Sequence, residues 1–257
     1  MQAGEKTTVD YWEKEWSGAP PFLTFDPERP FFSDIHALLQ KHLPKDSSLR
    51  CLEVGCYPGT YMWYFNHHFG YRVSGIEYVE SCIGPCRENM KSLGIDAEII
   101  HADLFSYKPK EGQPLWDVVV SFGFIEHFDD SRAVIDRHLD LLKPGGILVL
   151  VIPNHAGLNG RILKSIDREK YDIHNQMSYE RMEAALRETG RAAIIEGGYY
   201  GHIGFWNTAV YSKAMAMGKL AYFCARAPLY VVEQVGRYIV PNGKFFAPNS
   251  ALVARKK

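Results

Sequence analysis

Three acidic side chains could bind a polar ligand at one edge of a predicted sheet. Glu53, Glu77 and Asp103 each end, or directly follow, an apolar run that is typical of a strand. Carboxylates at such strand ends bind nucleotide-like ligands, because they can accept hydrogen bonds from ribose hydroxyls and from an adenine amino group. We therefore predict that Glu77 contacts a ribose and that Asp103 contacts an adenine.

A glycine-containing turn follows Glu53. Gly55 and Gly59 separate the first strand from the next helix, so backbone N–H groups and a helix N-terminus face the ligand. A dinucleotide-binding turn needs G-x-G-x-x-G, but Tyr57 and Thr60 occupy its second and third glycine positions. The Tyr57 side chain would crowd a pyrophosphate, which argues against the alternative of an NAD-dependent oxidoreductase. A cofactor without phosphate and with a cationic portion, such as S-adenosylmethionine (SAM), fits better.

Together these motifs resemble the class I SAM-dependent methyltransferases, in particular the small-molecule type similar to the ubiquinone-biosynthesis-like group. The resemblance covers about residues 45–200 and includes the turn Lys143–Gly146 before the fifth strand. It departs from the family at Tyr57, where the motif has a glycine. It implies SAM as the cofactor, bound by Tyr11, Glu53, Gly55, Cys56, Tyr57, Gly59, Glu77, Tyr78, Asp103, Leu104, Ser121 and Phe122.

Three histidines are candidates for a catalytic base. Methyl transfer to an alcohol requires loss of the hydroxyl proton, and a neutral histidine can accept it at about pH 7. His127, His155 and His174 follow the fourth and fifth strands, where the methyl group would point. At most one of them is expected to be the base, because packing is the stronger explanation for His127 and His155. Asp172 or Asn175 could orient His174, but their spacing does not prove it. Arg161 could hold an anionic substrate group or could be a surface charge.

The composition narrows the range of partners. The formal net charge is −1, which argues against nucleic acid as the main partner, because nucleic-acid-binding domains usually have a basic face. Five cysteines without a regular framework indicate a reducing compartment, so we predict a cytoplasmic protein. Cys82 and Cys86 are poorly spaced for a metal, and no metal site is predicted. We also predict no signal peptide and no stable membrane insertion, since Lys219 and Arg226 interrupt the C-terminal apolar stretch.

The elements that position these residues predict an α/β fold, with a doubly wound, mostly parallel, seven-stranded sheet of the Rossmann-like type. The fourth strand, Trp116–Phe122, is apolar on both faces, as a buried parallel strand should be. The first strand begins at about Arg50. The others are predicted at 71–78, 97–101, 147–152, 192–200 and 250–254, with the last one antiparallel.

Two helices have clear end signals. Pro58 suits the first turn of the helix after the glycine turn, and Gly70 ends that helix. His67 and His68, at its C-terminal end, are predicted to be surface residues. A later helix is predicted to begin with Ser178 as its N-cap and to end at Gly190.

The whole chain, 1–257, is predicted to be a single methyltransferase domain. Its parts are an N-terminal lid or helical segment at 1–44, a SAM-binding core at 45–200, a helical insertion or cap at 201–249, and the last strand at 250–257. Trp12 and Trp16 share a helix face, which could dock the N-terminal segment on the core, close it over the cofactor, or both.

The insertion is rich in aromatic residues, including Phe205, Trp206 and Tyr211, and is predicted to be helical from about Asn207 to Val240. It could cap the core or form a homodimer contact. A membrane-surface role is the weaker alternative, based on the apolar side chains of Leu220, Tyr222, Phe223, Leu229 and Tyr230.

These observations lead to a functional hypothesis. The protein is expected to move a methyl group from SAM to an oxygen of a small molecule, such as a sugar or a natural-product intermediate. Methylation of nitrogen or carbon on a small molecule is the alternative, because the cofactor argument would not change. An alternative of another class is a non-catalytic binding module that keeps the SAM fold.

Overall fold

One seven-stranded sheet organises the chain. The computed structural model describes residues 6–17, 23–29, 31–204 and 217–257. The strands are β1 (Arg50–Val54), β2 (Arg72–Glu77), β3 (Glu98–His101), β4 (Trp116–Phe122), β5 (Leu142–Pro153), β6 (Ala192–Tyr200) and β7 (Asn249–Lys256). Their order is β3-β2-β1-β4-β5-β7-β6; all pairs among β1 to β5 are parallel, and β7 is antiparallel to both β5 and β6. The predicted α/β class and mostly parallel sheet are confirmed.

Helices cover both faces of this sheet. They are α1 (Val9–Trp16), α2 (Ser33–His42), α3 (Thr60–Phe69), α4 (Glu80–Ser92), α5 (Ser131–Leu141), α6 (Leu158–Ile166), α7 (Arg168–Asp172), α8 (Tyr179–Thr189) and α9 (Lys219–Ile239). Side chains of α2, α3 and α4 share one apolar core with Val118 and Val120, whereas those of α5 and α8 share a second core with Val119. Successive residues of β4 enter opposite cores because strand side chains alternate between faces.

The strand β5 begins earlier than the sequence predicts. Leu142 pairs with Trp116 of β4, and the next pair is Ile147 with Val118, so the residues 143–146 form an irregularity within the strand. The expectation of a separate turn before the strand was therefore wrong. Lys143 contributes an ion pair at this point, with its Nζ 2.7 Å from Oδ1 of Asp117.

The helix after the glycine turn also starts later than predicted. It begins at Thr60 with Gly59 as N-cap, so Pro58 precedes the helix and is joined to Tyr57 by a cis peptide bond. Its predicted end at Gly70 is confirmed. His67 is exposed, as expected, but His68 is only partly exposed. The pKa of His68 is lowered to about 4, chiefly by burial.

The helix predicted at 178–190 is confirmed at both ends. The Ser178 hydroxyl accepts a hydrogen bond from the Arg181 N–H, which caps α8, and Gly190 in the left-handed conformation ends it. This helix packs against α5 and fixes the chain that leads from the site into β6.

The insertion before β7 contains the long helix α9. Its predicted end near Val240 agrees with the structure, where Val240 is the C-cap. Phe205, Trp206, Tyr211 and the predicted helix start at Asn207 lie outside the described residues. Among the described helices, none combines the length and the apolar character needed to cross a bilayer. The predicted division into segments and the predicted homodimer contact stay predictions.

A buried histidine in α5 makes the stability pH-dependent. Burial lowers the pKa of His138 to about 4, although Nδ1 donates a hydrogen bond to the Val134 carbonyl at 2.8 Å. In the unfolded chain a histidine titrates at about 6.5, so below that pH protonation of His138 favours the unfolded state. The contribution of neutral His138 to stability is therefore complete above about pH 6.5 and is lost as the pH falls toward 4.

We expect the substitution His138→Gln to remove that dependence. Between about pH 6.5 and 4, the free energy of unfolding of the variant should fall less steeply than that of the parent, by about 1.4 kcal/mol per pH unit. Urea denaturation at a series of pH values measures both slopes. Equal slopes would contradict the buried neutral state of His138.

Candidate active site

The carboxylate of Glu77 holds the tip of β2 to the turn after β1. Its Oε1 accepts hydrogen bonds from the N–H groups of Tyr78 and Val79, both at 2.9 Å, and its Oε2 accepts one from Tyr57 at 3.2 Å. The same turn is fixed by the backbone, since the Gly55 N–H donates to the carbonyl of Ile76 at 2.9 Å. Burial raises the pKa of Glu77 despite the opposing effect of the three N–H groups.

Glu53 lies beneath this turn and is almost fully buried. Its side chain is 3% exposed, and its Oε2 makes no hydrogen bond within the described residues. The pKa of Glu53 is raised well above its usual value, first by burial and then by Cys86, while a hydrogen bond from the Met62 backbone opposes the shift. A buried carboxylate oxygen without a donor is costly, so this position favours a cationic or hydrogen-bond-donating ligand.

The other residues of the predicted cofactor site lie at neighbouring strand ends. Oδ1 of Asp103 accepts a hydrogen bond from the N–H of Phe105 at 3.1 Å, which shapes the turn after β3. Leu104 and Ser121 are buried. Phe122, at the end of β4, stacks on Tyr61 with 3.8 Å between ring centroids, so Tyr61 contributes to packing here.

Cys56 forms a buried contact that the sequence analysis did not anticipate. Its thiol lies within hydrogen-bond reach of Cys86 in α4, and this contact together with burial raises the pKa of Cys56 well above its usual value. This contact joins the turn after β1 to α4.

The N-terminal helix α1 crosses the mouth of the site. The ring of Trp16 meets Tyr57 edge-on at 5.2 Å, and that of Trp12 meets His127 edge-on at 4.9 Å. Glu13 accepts a hydrogen bond from the Ser81 hydroxyl at 3.2 Å, and Glu15 pairs with Lys170. These contacts, on opposite sides of the mouth, place α1 over the strand ends.

Tyr11 lies on the same helix. Its N–H donates to the Thr8 hydroxyl, and its ring contacts that of Trp12 at 5.1 Å. The pKa of Tyr11 is raised, chiefly by burial and then by Glu15. These contacts dock the N-terminal segment on the core, and its role as a lid over the cofactor stays a prediction.

The three candidate bases come together in space. The His174 ring centroid lies 4.7 Å from that of His127 and 4.6 Å from that of His155. Burial is the main reason that the pKa of each is lowered, to about 3 for His155 and well below the usual value for His127. An unperturbed histidine has a pKa of about 6.5, and these three lie below it, so all three are neutral at about pH 7.

Their hydrogen bonds differ. Nδ1 of His174 donates to the Lys170 carbonyl at 2.6 Å, which leaves Nε2 as the nitrogen that carries the lone pair. Within the described residues, neither ring nitrogen of His155 makes a hydrogen bond, and Nδ1 of His127 makes none. The sequence placed these residues at the same edge of the sheet, and the structure adds that their rings are in contact.

Glu126 belongs to the same cluster and was not among the predicted site residues. It is 1% exposed, and burial raises its pKa to about 8. Its position directly before His127, in a short helical turn after β4, was the available signal.

A cavity of about 330 Å³ opens beside the cluster. His174 forms part of its wall, together with Lys6, Tyr171, Asp172, Asn175, Gln176 and Arg181. Arg161, considered from the sequence as a substrate contact, is not part of this wall. Its guanidinium lies instead over the ring of Phe245, 5.1 Å from the centroid.

The family of this protein follows from a match that spans more than half of the chain. Residues 26–194 match the family described as the methyltransferase domain. The chain belongs to this methyltransferase family. It is a class I SAM-dependent methyltransferase domain, and SAM is the cofactor of the family. The match decides against the alternative of an NAD-dependent oxidoreductase.

Similar proteins agree with this assignment. The trans-aconitate 2-methyltransferase of Rhizobium leguminosarum bv. trifolii (strain WSM2304) is 26% identical over 143 residues, which cover 55% of this chain and 52% of that protein. The structure of Haemonchus contortus phosphoethanolamine N-methyltransferase 2 in complex with SAM is 17% identical with a TM-score of 0.59, over 88% of this chain and 52% of that one. The match to the curated relative thus spans about half of its length.

The fold alone does not specify the reaction. The [4+2]-cyclase SpnF is 16% identical to this methyltransferase with a TM-score of 0.62, and the alignment covers 96% of this chain and 92% of SpnF. A protein named for a cyclisation therefore has the same fold. The chemistry has to be argued from the side chains at the strand ends.

The residues present at these strand ends fit SAM. Oε2 of Glu53 is a buried oxygen without a hydrogen bond in the described part of the chain, as expected beside a ligand that carries positive charge. Tyr57 occupies the position at which a pyrophosphate would have to approach the backbone, and SAM contains no phosphate.

A close backbone contact holds His155 in place. A Cβ atom at Gly160 of α6 would lie 1.8 Å from the carbonyl oxygen of His155. The obstacle is backbone rather than the end of a flexible side chain, so the helix and the histidine cannot both keep their positions when a methyl group is added. Gly198 of β6 is the control, because no atom lies within 4 Å of its added Cβ and its backbone is not in the left-handed region.

We expect the two alanine substitutions to have opposite effects on stability. Gly160→Ala should lower the free energy of unfolding by about 3 kcal/mol through overpacking. Gly198→Ala should raise it by about 0.5–1 kcal/mol, because alanine suits a strand better than glycine and restricts the unfolded chain. Urea titrations followed by circular dichroism provide the comparison. A Gly160→Ala protein as stable as the parent would show that α6 does not press on His155.

Proposed function

We propose that this methyltransferase transfers a methyl group from SAM to an oxygen atom of a small molecule. The observation that carries the proposal is His155, a neutral imidazole two residues after the end of β5 whose two ring nitrogens lack hydrogen bonds within the described residues. An oxygen acceptor needs a group that takes its proton, whereas methylation of an amine lone pair does not.

The cofactor would be held at the ends of β1, β2 and β3. When bound, SAM supplies a methyl group on a positively charged sulfur. Glu77 would accept hydrogen bonds from the ribose hydroxyls, and Asp103 would accept one from the adenine amino group. The positive charge of bound SAM would favour the ionised form of Glu53, whose carboxylate would lie near the cationic part of the ligand. The α1 helix, through Trp12 and Trp16, would limit access of water to this edge.

The acceptor would approach through the cavity beside His174. The His155 ring lies 4.6 Å from that of His174, which lines the cavity, so a hydroxyl bound in the cavity would lie on the His174 side of the cluster. Because the donor is already activated, much of the rate would come from alignment of the hydroxyl with the methyl group. His155 would accept the hydroxyl proton as the new bond to carbon forms.

The charges of this cavity favour an acceptor that carries an anionic group. Arg181 donates only to uncharged acceptors among its described hydrogen bonds, Oδ1 of Asn175 and the carbonyl of Gln176, both at 3.2 Å. The carboxylate of Asp172, also in the wall, is bound by Arg168 at 2.8 Å. A hydroxylated small acid, such as a sugar acid or a natural-product intermediate, matches this pattern.

The cofactor contacts can be tested by isothermal titration with SAM. We expect Glu77→Gln and Asp103→Asn each to weaken SAM binding by about 10- to 100-fold, because each removes a charged hydrogen-bond acceptor. Glu98→Gln, on the exposed start of β3, is the control and should bind SAM as the parent does. Unchanged affinity in both site variants would defeat the assigned contacts.

The role of His155 can be tested by assaying transfer of a labelled methyl group to a panel of hydroxylated small molecules. We expect His155→Asn to lower kcat by about 100-fold, the effect of losing a general base, while the Kd for SAM stays the same. His67→Asn replaces an exposed histidine on α3 and should keep full activity. If His155→Asn turns over at the parental rate, His155 is not the base.

The same assay separates the alternatives. If methylated amine or carbon products form and no methylated oxygen is found, the acceptor atom is nitrogen or carbon and not oxygen. If SAM binds but is never consumed across hydroxyl, amine and carbon acceptors, the protein is instead a binding module that retains the cofactor site.

A further inference from the structure

Three side chains, of which His174 lines the cavity, converge in a way that the proposed methyl transfer does not use. Glu126, His127 and His174 each offer one ligand atom, and these atoms all lie within 4.8 Å of one another. Glu126 and His127 follow β4, whereas His174 follows α7, so the group joins two separate parts of the chain. The two segments are also tied together directly, because Asn175 donates from its N–H to the carbonyl of Glu126 at 2.6 Å and from Nδ2 to that of Phe128 at 3.2 Å.

Backbone carbonyls orient both imidazoles. Nδ1 of His174 donates to the Lys170 carbonyl at 2.6 Å, so its Nε2 presents a lone pair. His127 hydrogen-bonds the backbone of Ile173, and its Nδ1 has no hydrogen-bond partner within the described residues. Histidines that bind metals show this arrangement, with one nitrogen donating to a carbonyl or carboxylate and the other turned to the ion.

Metal ligation requires the ionised form of Glu126, and this form together with the two imidazole lone pairs makes a cluster of three acceptors. Glu126 is 1% exposed and His127 is 5% exposed, and one acceptor atom of each, Oε2 and Nδ1, makes no hydrogen bond in the part of the chain that the structure describes. Buried polar atoms are normally paired, so such a group calls for an electron-pair acceptor at its centre. A cation satisfies all three atoms at once.

We propose that Glu126, His127 and His174 bind one divalent transition-metal ion. Two imidazoles and one carboxylate suit zinc, iron(II) or cobalt(II), whereas magnesium and calcium prefer oxygen ligands. Three protein ligands leave coordination positions open for water or a small molecule.

The required adjustment is small. Ligand atoms on one tetrahedral zinc ion lie about 3.4 Å apart, because each bond to the metal is about 2.0–2.1 Å long. The three atoms here lie within 4.8 Å, so each pair has to close by at most about 1.4 Å, which side-chain rotation can supply. Entry is open on the side of His174, which lines the cavity.

The site lies beside the proposed base without including it. The His155 ring is 4.6 Å from that of His174, so a metal ion on the triad would share the acceptor side of the site with His155. Metal binding is nevertheless independent of methyl transfer, and its test needs neither SAM nor an acceptor.

The test is titration of the full chain, freed of metal by a chelator, with Zn²⁺ in a calorimeter and with Co²⁺ in a spectrophotometer. We expect one ion per chain. The Co²⁺ complex should show visible bands of nitrogen and oxygen ligation without the near-ultraviolet band of thiolate ligation. This distinction matters because the chain also has five cysteines.

Conservative variants locate the ion. Glu126→Gln and His174→Asn should each lower the Zn²⁺ affinity at least about tenfold, since even residues that only orient metal ligands contribute about 10- to 100-fold. His67→Asn should leave the affinity unchanged. Far-ultraviolet circular dichroism on every variant distinguishes loss of a ligand from loss of the fold. His127→Asn provides a second ligand variant if either of the first two does not fold.

Three results would overturn the proposal. They are the absence of stoichiometric Zn²⁺ binding, a thiolate band in the Co²⁺ spectrum, and unchanged affinity in folded ligand variants. Because none of these depends on turnover, they leave the proposed methyl transfer to be judged by its own assay.

Discussion

The hydrogen bonds to the Glu77 carboxylate are the interaction on which the rest of the site depends. They join the end of β2 to the turn after β1, through Tyr57 on one side and through Tyr78 and Val79 on the other. Without this acceptor, three N–H groups at the centre of the molecule would lack a partner, which is costly for buried backbone. The same carboxylate is thus a structural support and the expected ribose contact.

The parallel sheet explains why so many chemical groups meet at one edge. Strands that run in the same direction place their carboxyl ends together, and the loops after β1, β2, β4 and β5 all leave from that edge. The edge also contains buried acceptors without donors, such as Oε2 of Glu53 and of Glu126. Such atoms oppose folding, and they are tolerated where a ligand offsets the cost.

Sequence patterns predicted the sheet better than the connections. β4 and β6 have the predicted bounds, because both are rich in β-branched and aromatic residues, such as the valines at 118–120 in β4 and Tyr199 and Tyr200 in β6. Pro58 was misplaced because proline fits a turn as well as the start of a helix, and only the surrounding backbone distinguishes the two. The irregular start of β5 was missed because strand register depends on the partner strand, which a single run of residues does not reveal.

The sequence by itself determined the order of the strands along the chain, the carboxylates at their ends and the glycine turn, because these are local patterns of spacing. These patterns in turn indicated the family and its cofactor. Only the tertiary structure decided that His127, His155 and His174 share one site with Glu126, and that α1 lies across it. These side chains come from segments far apart along the chain. Their contacts depend on where helices pack and how loops return, which are properties of the whole core rather than of any short stretch of residues.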